Sequence, residues 1–558
     1  MSRRAPAAKK QQTLQFVTID PSSDQGSSHI RRIVRSHAGG WIWRQLRDSQ
    51  DNPQPDPEEE EEEDELEAGP SVREESQGRR QSTSQPRKPS PSVVGSLWEA
   101  PREFAPELVQ RAGNGGRPMQ LSRVSSEKLD PFQSYISTSP LPSGLVSNSN
   151  KYCLSVLWPG LMPRSSLIGG APHAGIEGWF SISLGHPALH SAMLFGSYSH
   201  RRIMWLQKRQ SDFSAEDEKQ MAICEADSIT RINLAIQNLS EALTDAIILC
   251  VLCMANNKNE PPLGPDNLES PFQAPLRSLQ WLDVYGRLKP HPVHQIGLVQ
   301  LVQLKGGLEK IKLPGLAGVI AFSGVLGASR LLSPPLFSYI CIHEGEYLTL
   351  RDIIDSQHPV PTVDPNLIAE LPITYDMQEI FRAARAYFAL VDKYQDGIHV
   401  PLDTLADCRN LIQWHIMSLL SGSQLGARLI DAYPLYESCR LALVILGVSV
   451  IFPLPPQSAP LLELSRMLQA ELQSTKDFAK VYSSVSTKLV YWCLVLGGIA
   501  ATGSSERRWY VEEIRRLAGP YGLREWDSMK QDLKTILWLD RACDFGGRLL
   551  WEEALRLQ

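Results

Sequence analysis

The sequence predicts an all-α protein, and three observations carry that prediction. Beyond about residue 131, apolar residues recur at i, i+3, i+4 and i+7 in one segment after another, the spacing that paints one face of a helix. No segment alternates apolar and polar residues with the period of two that a half-buried strand needs. Proline-rich joints at Pro261-Pro262, Pro334-Pro335, Pro359 to Pro365 and Pro453 to Pro456 separate the periodic segments, as connections between helices do.

Residues 1–50 precede this body as a basic segment, with nine Lys or Arg against three acids. Ile30, Ile33, Val34, Trp41, Ile42 and Leu46 provide for one short helix over Ser28 to Arg47, interrupted at Gly39-Gly40. Residues 51–130 are expected to be a disordered linker. The run Glu58 to Glu63 with Asp64, Glu65 and Glu67 repels itself and offers no apolar face, and the Ser/Pro/Gln-rich stretch from Pro70 to Pro91 continues that character. The helical domain is then assigned to 131–558.

Within that domain the clearest helix is Asp376 to Tyr394. There Met377, Ile380, Phe381, Ala384, Tyr387, Phe388, Val391 and Tyr394 form one apolar stripe, and Gly397 follows as a stop. Similar patterns place helices at His186–Trp205, Ala215–Leu239 and Asp245–Met254, where Thr244 or Asp245 can cap the first amides. Further helices are expected at Val293–Lys305, Leu402–Leu420, Tyr433–Ile451, Leu461–Val481, Lys488–Ala501, Arg507–Leu517 and Trp526–Leu557. The most apolar of these runs fall short of the roughly 18 to 20 residues needed to cross a bilayer, so no membrane partner is expected. No internal repeat marks a solenoid.

Charge and motifs narrow the chemistry. The 558 residues carry a net charge of −6, which gives no global reason to expect nucleic-acid binding. All nine cysteines lie from Cys153 onward, mostly inside apolar runs, which suits buried thiols in a reducing compartment. Cys250-Val251-Leu252-Cys253 has metal-pair spacing but no second pair nearby, so it reads as packing. Gly315, Gly318, Gly324 and Gly327 lack the strand and the Gly-Lys-Ser/Thr ending of a phosphate cradle, and close helix packing is the better reading. His291 and His294 have no acidic or cysteine partner within a turn, so no metal or other cofactor is expected. Neither a G-x-S-x-G elbow nor an H-E-x-x-H pair occurs, and the chain is read as a non-enzyme. Arg3, Arg4, Lys9, Lys10, Arg31, Arg32 and Arg35 can serve nuclear import or phosphate contact, or can simply be a solvated tail.

Three stretches resemble the regulatory region of fungal-specific transcription factors. Ala188 to Ala192 through Ile232-Asn233, followed by Leu243-Thr244-Asp245-Ala246-Ile247-Ile248, is similar to a sequence that opens an apolar helix in that family. His294-Gln295-Ile296-Gly297-Leu298, continuing to Lys305-Gly306-Gly307-Leu308, resembles the family's "H..GL..MV..RGGL" signature. Leu537-Trp538-Leu539-Asp540-Arg541-Ala542-Cys543 with Leu550-Trp551 resembles its closing helix, so the likeness spans about residues 150 to 558. Phe16 to Pro21 with Ile33-Val34-Arg35-Ser36-His37 resembles the start of a subgroup lacking the binuclear zinc cluster. The six clustered cysteines that such a cluster needs have no counterpart before Cys153.

The resemblance implies a nuclear regulator, with a cytoplasmic pool left open, that acts through transcription regulators or a zinc-cluster family member. Homo- or heterodimers would be its form, and DNA contact would be indirect or non-specific. It marks Asp245, His294, Gly306, Gly307, Asp540 and Arg541 as residues of structural importance. A helical small-molecule sensor, with an apolar pocket between helices, is the alternative reading.

Overall fold

The computed structural model describes residues 139, 141–163, 173–209, 213–258, 268–342, 348–356, 366–426, 433–474, 484–518 and 525–556. Every regular element among them is helical. The basic segment and the expected linker, residues 1–130, lie outside the described residues.

In the first half, α1 (Ser143–Tyr152) runs through a π-helical turn at Cys153–Leu157 into a short helix at Trp158–Leu161. Helices α2 (Ala174–Gly185), α3 (Pro187–Leu206), α4 (Ala215–Ala235) and α5 (Asp245–Asn256) follow, then α6 (Pro292–Lys305) and α7 (Leu316–Leu331). The sequence builds α4 in a readable way. Ser214 accepts from the Asp217 amide while the Asp217 carboxylate accepts from the Ser214 amide, a reciprocal cap that starts the helix. Helices α3 and α4 are antiparallel: Arg201 and Arg202 near the end of α3 pair with Asp217 and Glu218 at the start of α4, and farther along Ser191 hydrogen-bonds Asp227.

The second half comprises α8 (Tyr375–Gln395), α9 (Leu402–Ser418), α10 (Tyr436–Leu446, continuing into a π-helical turn at Gly447–Ile451), α11 (Leu461–Ser474), α12 (Ser484–Ala500), α13 (Arg507–Ala518), α14 (Trp526–Ile536) and α15 (Asp540–Arg556). The apolar stripe of α8 is buried from Met377 to Val391 as its spacing predicts, with Tyr394 half-buried at its end, and Gly397 ends the helix at φ +82°, its amide bonding back to Tyr394 O. Helix α12 is the axis of this half, with every residue from Leu489 to Leu496 buried. At its C-terminal end Gly497 and Gly498 admit close neighbours: a Cβ at Gly497 would sit 2.5 Å from the Tyr510 ring of α13, and one at Gly498 the same distance from Leu550 of α15. One large apolar core links both halves, and each fully buried Leu or Phe in it contributes about 1.5–3 kcal/mol.

The structure departs from the periodicity in instructive places. The segment expected as one helix over Trp526–Leu557 is broken at Leu537-Trp538-Leu539, all three buried. Arg385 donates to the carbonyls of Thr535 and Ile536 at 2.7 and 2.8 Å, and the Trp492 indole donates to Leu537 O at 2.6 Å. Partners remote in sequence thus satisfy the carbonyls at which the helix stops. The segment over Ala215–Leu239 ends early, at Ala235, and a separate short helix at Leu239–Ala242 follows it. Helices α1, α2 and α7 are additional to those the periodicity outlined.

Candidate functional site

Helices α5 and α6 form an antiparallel pair, and three of the resemblance residues, Asp245, Gly306 and Gly307, sit at one of its ends. Asp245 opens α5, and its Oδ1 lies 2.5 Å from Nζ of Lys305, the last residue of α6. Lys305 also donates to Leu243 O at 2.8 Å. The other carboxylate oxygen, Oδ2, accepts from the amides of Lys312 and Leu313 at 2.7 and 2.8 Å, just ahead of α7. Asp245 is therefore the hub of the corner, and Thr244 is the cap of α5, its Oγ1 accepting from the Ile247 amide. Gly306 and Gly307 turn the chain away at φ +97° and +104°, a conformation that suits glycine.

The other residues marked by the resemblance are placed apart from this corner. His294 is buried in the first turn of α6, its ring 4.1 Å from that of His291. Asp540 receives Lys530 and Lys534 at 2.8 and 2.9 Å, while Arg541 pairs with Asp392 and Asp396, fastening α15 to α14 and to the end of α8. Arg3, Arg4, Lys9, Lys10, Arg31, Arg32 and Arg35 lie outside the described residues. Cys250 is buried, its thiol 3.3 Å from Ala188 O, and burial pushes the Cys253 thiol up to about 12. Among the described residues no group of three or more His, Cys, Asp or Glu side chains is placed to hold a metal, and no helix is long and apolar enough to cross a membrane. Gly318 and Gly324 are close-packed, against the Cys341-Ile342 backbone and the Phe337 ring, whereas a Cβ at Gly327 would meet open space.

That open space belongs to a cleft at the opposite end of the helix pair, where the His291 amide, preceding α6, donates to Ala255 O at the end of α5. An outer chamber of about 260 Å3 is lined by Asn256, Tyr285, Gln295, Ser323, Gly327 and Arg330 among others. An inner chamber of about 50 Å3 adjoins it and is walled mainly by Trp158, Trp179, Met193, Leu249, Leu252 and Phe322. Asn256, Tyr285, Ser323 and Leu326 line both chambers. The π-helical turn at Cys153–Leu157 helps set the inner wall: Leu157 O accepts from the Trp281 indole at 2.8 Å, and Trp158 meets Trp179 edge-on with centroids 5.9 Å apart.

The polar groups of the cleft are few and mostly neutral. Ser323 Oγ donates to Asn256 Oδ1 at 2.8 Å, and Asn256 Nδ2 donates to Leu252 O. Burial raises the Tyr285 phenol well above its ordinary range, so it stays protonated and available as a donor. Asn257, 4% exposed on the inner wall, donates to Cys253 O at 2.7 Å, and its Oδ1 has no hydrogen-bond partner. Arg330 is the single charged residue in the described lining of either chamber. It donates to Leu288 O at 3.0 Å and pairs with no carboxylate among the described residues, and burial lowers its pKa. The thiol on the inner wall, Cys253, is held in its protonated form.

The family resemblance pointed to Asp245 and the Gly306-Gly307 turn, but neither it nor the periodicity pointed to Asn256, Tyr285, Ser323 or Arg330. The single local sign was the run of small residues through α7, whose spacing leaves room for a cavity as readily as for a neighbouring helix. Comparison of the chain with family models, with curated proteins and with solved structures returned no match.

Proposed function

We propose that this chain is a non-enzymatic regulatory protein of the fungal transcription-factor type, working in the nucleus through protein partners and without a zinc-cluster module of its own. The corner at Asp245 supports this reading best. Two of the segments that carry the resemblance, Leu243 to Ile248 and His294 to Leu308, are about sixty residues apart, yet they meet through one carboxylate bound to Lys305 and to the amides of Lys312 and Leu313. Asp245, Gly306 and Gly307, three of the residues marked by the likeness, thus share one structural corner, while His294, Asp540 and Arg541 stand apart from it. The tagged full chain, recovered from nuclear and cytoplasmic fractions, tests the proposal. Co-recovery of zinc-cluster proteins or other transcription regulators from nuclei is the expected result. Recovery from cytoplasm alone, without such partners, would refute it.

A second reading, that the regulator responds to a small molecule, is favoured by the cleft at the far end of the same helix pair. Pockets of this kind, apolar within and carrying a few placed polar groups, are the usual form of a ligand site.

A further inference from the structure

We propose that the cleft between α5, α6 and α7 binds a small organic monocarboxylate, with its carboxylate on Arg330 and its apolar end toward the inner chamber of Trp158, Met193 and Phe322. This goes beyond the regulatory reading, since it names a ligand class and the residues that select it.

The argument begins with the guanidinium. An arginine offers five N–H donors in a planar fork that matches a carboxylate edge. Arg330 uses one of its terminal nitrogens on Leu288 O and has no acidic partner among the described residues. A half-buried cation in that state carries a desolvation cost that an anion would offset. By contrast Arg209, on the neighbouring turn after α3, meets Asp283 at 2.5 Å, so the fold does supply carboxylates to partly buried arginines in this region.

Charge and shape then narrow the class. With one cation and no acid in the described lining, the complementary ligand carries a single negative charge; a phosphate monoester, with close to two, calls for more cations than the cleft has. The lining that holds Arg330 also carries the neutral Ser323–Asn256 pair, suited to a second oxygen or to a polar substituent, while the Tyr285 hydroxyl lies on the side of Cys253 and Cys153. Beyond them the wall turns to indole and aliphatic carbon, which favours a short branched or aromatic end. Chambers of about 260 and 50 Å3 each fall below the roughly 300–1,000 Å3 of ordinary ligand pockets, which confines the ligand to a small molecule seated mostly in the outer chamber.

The test uses the purified full chain with 4-methylpentanoate and phenylacetate as probes, and the corresponding carboxamides as neutral isosteres. Calorimetric titration and thermal denaturation are expected to give saturable binding of the acids, with the amides weaker by about tenfold or more. Arg330→Gln should weaken acid binding by a similar factor. Gly327→Leu should do the same by filling the outer chamber, while circular dichroism verifies that each variant keeps its helical content. Failure of both acids to bind the unaltered chain at millimolar concentration, equal binding of acids and amides, or undiminished binding by both variants would each overturn the proposal. Because the measurement needs neither partners nor nuclei, its failure leaves the regulatory reading standing, and failure of that reading leaves this one intact.

Discussion

Lys305 and Arg330 both lie in the last turn of their helices, where a cation meets the negative end of the helix dipole, yet they have opposite surroundings. Lys305 is locked onto Asp245 at 2.5 Å, with the side chains of the pair only 17% and 13% exposed. Arg330 faces a cleft and holds one backbone carbonyl. The two ends of the α5–α6 pair are therefore different in kind: one is closed by its own ions and fixes the geometry of three helices, while the other leaves a charge and a space uncommitted. Ion pairing thus separates a corner fixed by its own charges from one where a cation faces a cleft.

The comparison can be broken most directly at its closed end. Asp245→Ala strands Lys305 and two amides in a partly buried corner and is expected to destabilise the chain by about 2–3 kcal/mol. Arg330→Gln should change stability by less than about 1 kcal/mol, because no ion pair is lost. Urea denaturation of the two variants beside the unaltered chain measures both, and equal losses would erase the distinction between the two ends.

Two glycines of α7 sharpen the same contrast. A Cβ at Gly318 would lie 2.7 Å from the Cys341 carbonyl oxygen and from Ile342 Cα, backbone that cannot easily give way, so Gly318→Ala should cost about 1–3 kcal/mol. At Gly327 the added methyl meets nothing, and Gly327→Ala should stabilise by up to about 1 kcal/mol through helix propensity. Thermal denaturation should therefore move in opposite directions for one substitution made nine residues apart.

Acid should act on the open end. Burial first, and the charge of neighbouring His291 second, lower the His294 pKa to about 3 from an ordinary 6.5. Above pH 6.5 the imidazole is neutral in both folded and unfolded chains and stability does not depend on it. Below that, the unfolded chain takes up a proton that the folded chain refuses until about pH 3, so stability falls by up to about 1.4 kcal/mol per pH unit. His190 and His200, lowered to about 4 and about 3 chiefly by burial, add to the same slope. Denaturation midpoints at pH 7.5 and 5.5 measure the loss, and His294→Gln should flatten the part that belongs to the cleft end.

How far the sequence reached depends on whether an element is buried on one side or on all sides. Helix α8 was legible because solvent meets one face of it, so its apolar residues fall at helical spacing. Helix α7 was not: nearly everything from Leu316 to Ser329 is buried or close to it, and its glycines resemble a loop until Phe337 and the Cys341-Ile342 backbone are known to press on them. The break at Leu537 to Leu539 depends on Arg385 and Trp492, 152 and 45 residues from Leu537, which no local window contains. Of the two ends of α5–α6, likeness to known sequences marked the closed one at Asp245 and Gly306-Gly307 and, at the open one, His294 but none of the cleft residues Asn256, Ser323 and Arg330. Arg330 reads as an ordinary surface cation, because the lack of a partner is a property of the folded surroundings and leaves no mark on the residues beside it.

The distribution of sulfur has a kinetic consequence. Seven of the nine cysteines are buried, and burial pushes the thiols of Cys224 and Cys408 up to about 12 and raises that of Cys250 well above its ordinary value. Alkylating reagents attack the thiolate, so these positions are shielded both by access and by protonation until the surrounding helices part. Cys250 on α5 and Cys493 on α12 stand in different halves of the core, so their labelling rates, followed by mass spectrometry, would time the opening of each half separately. The chain carries, without any added probe, a set of clocks for its own breathing.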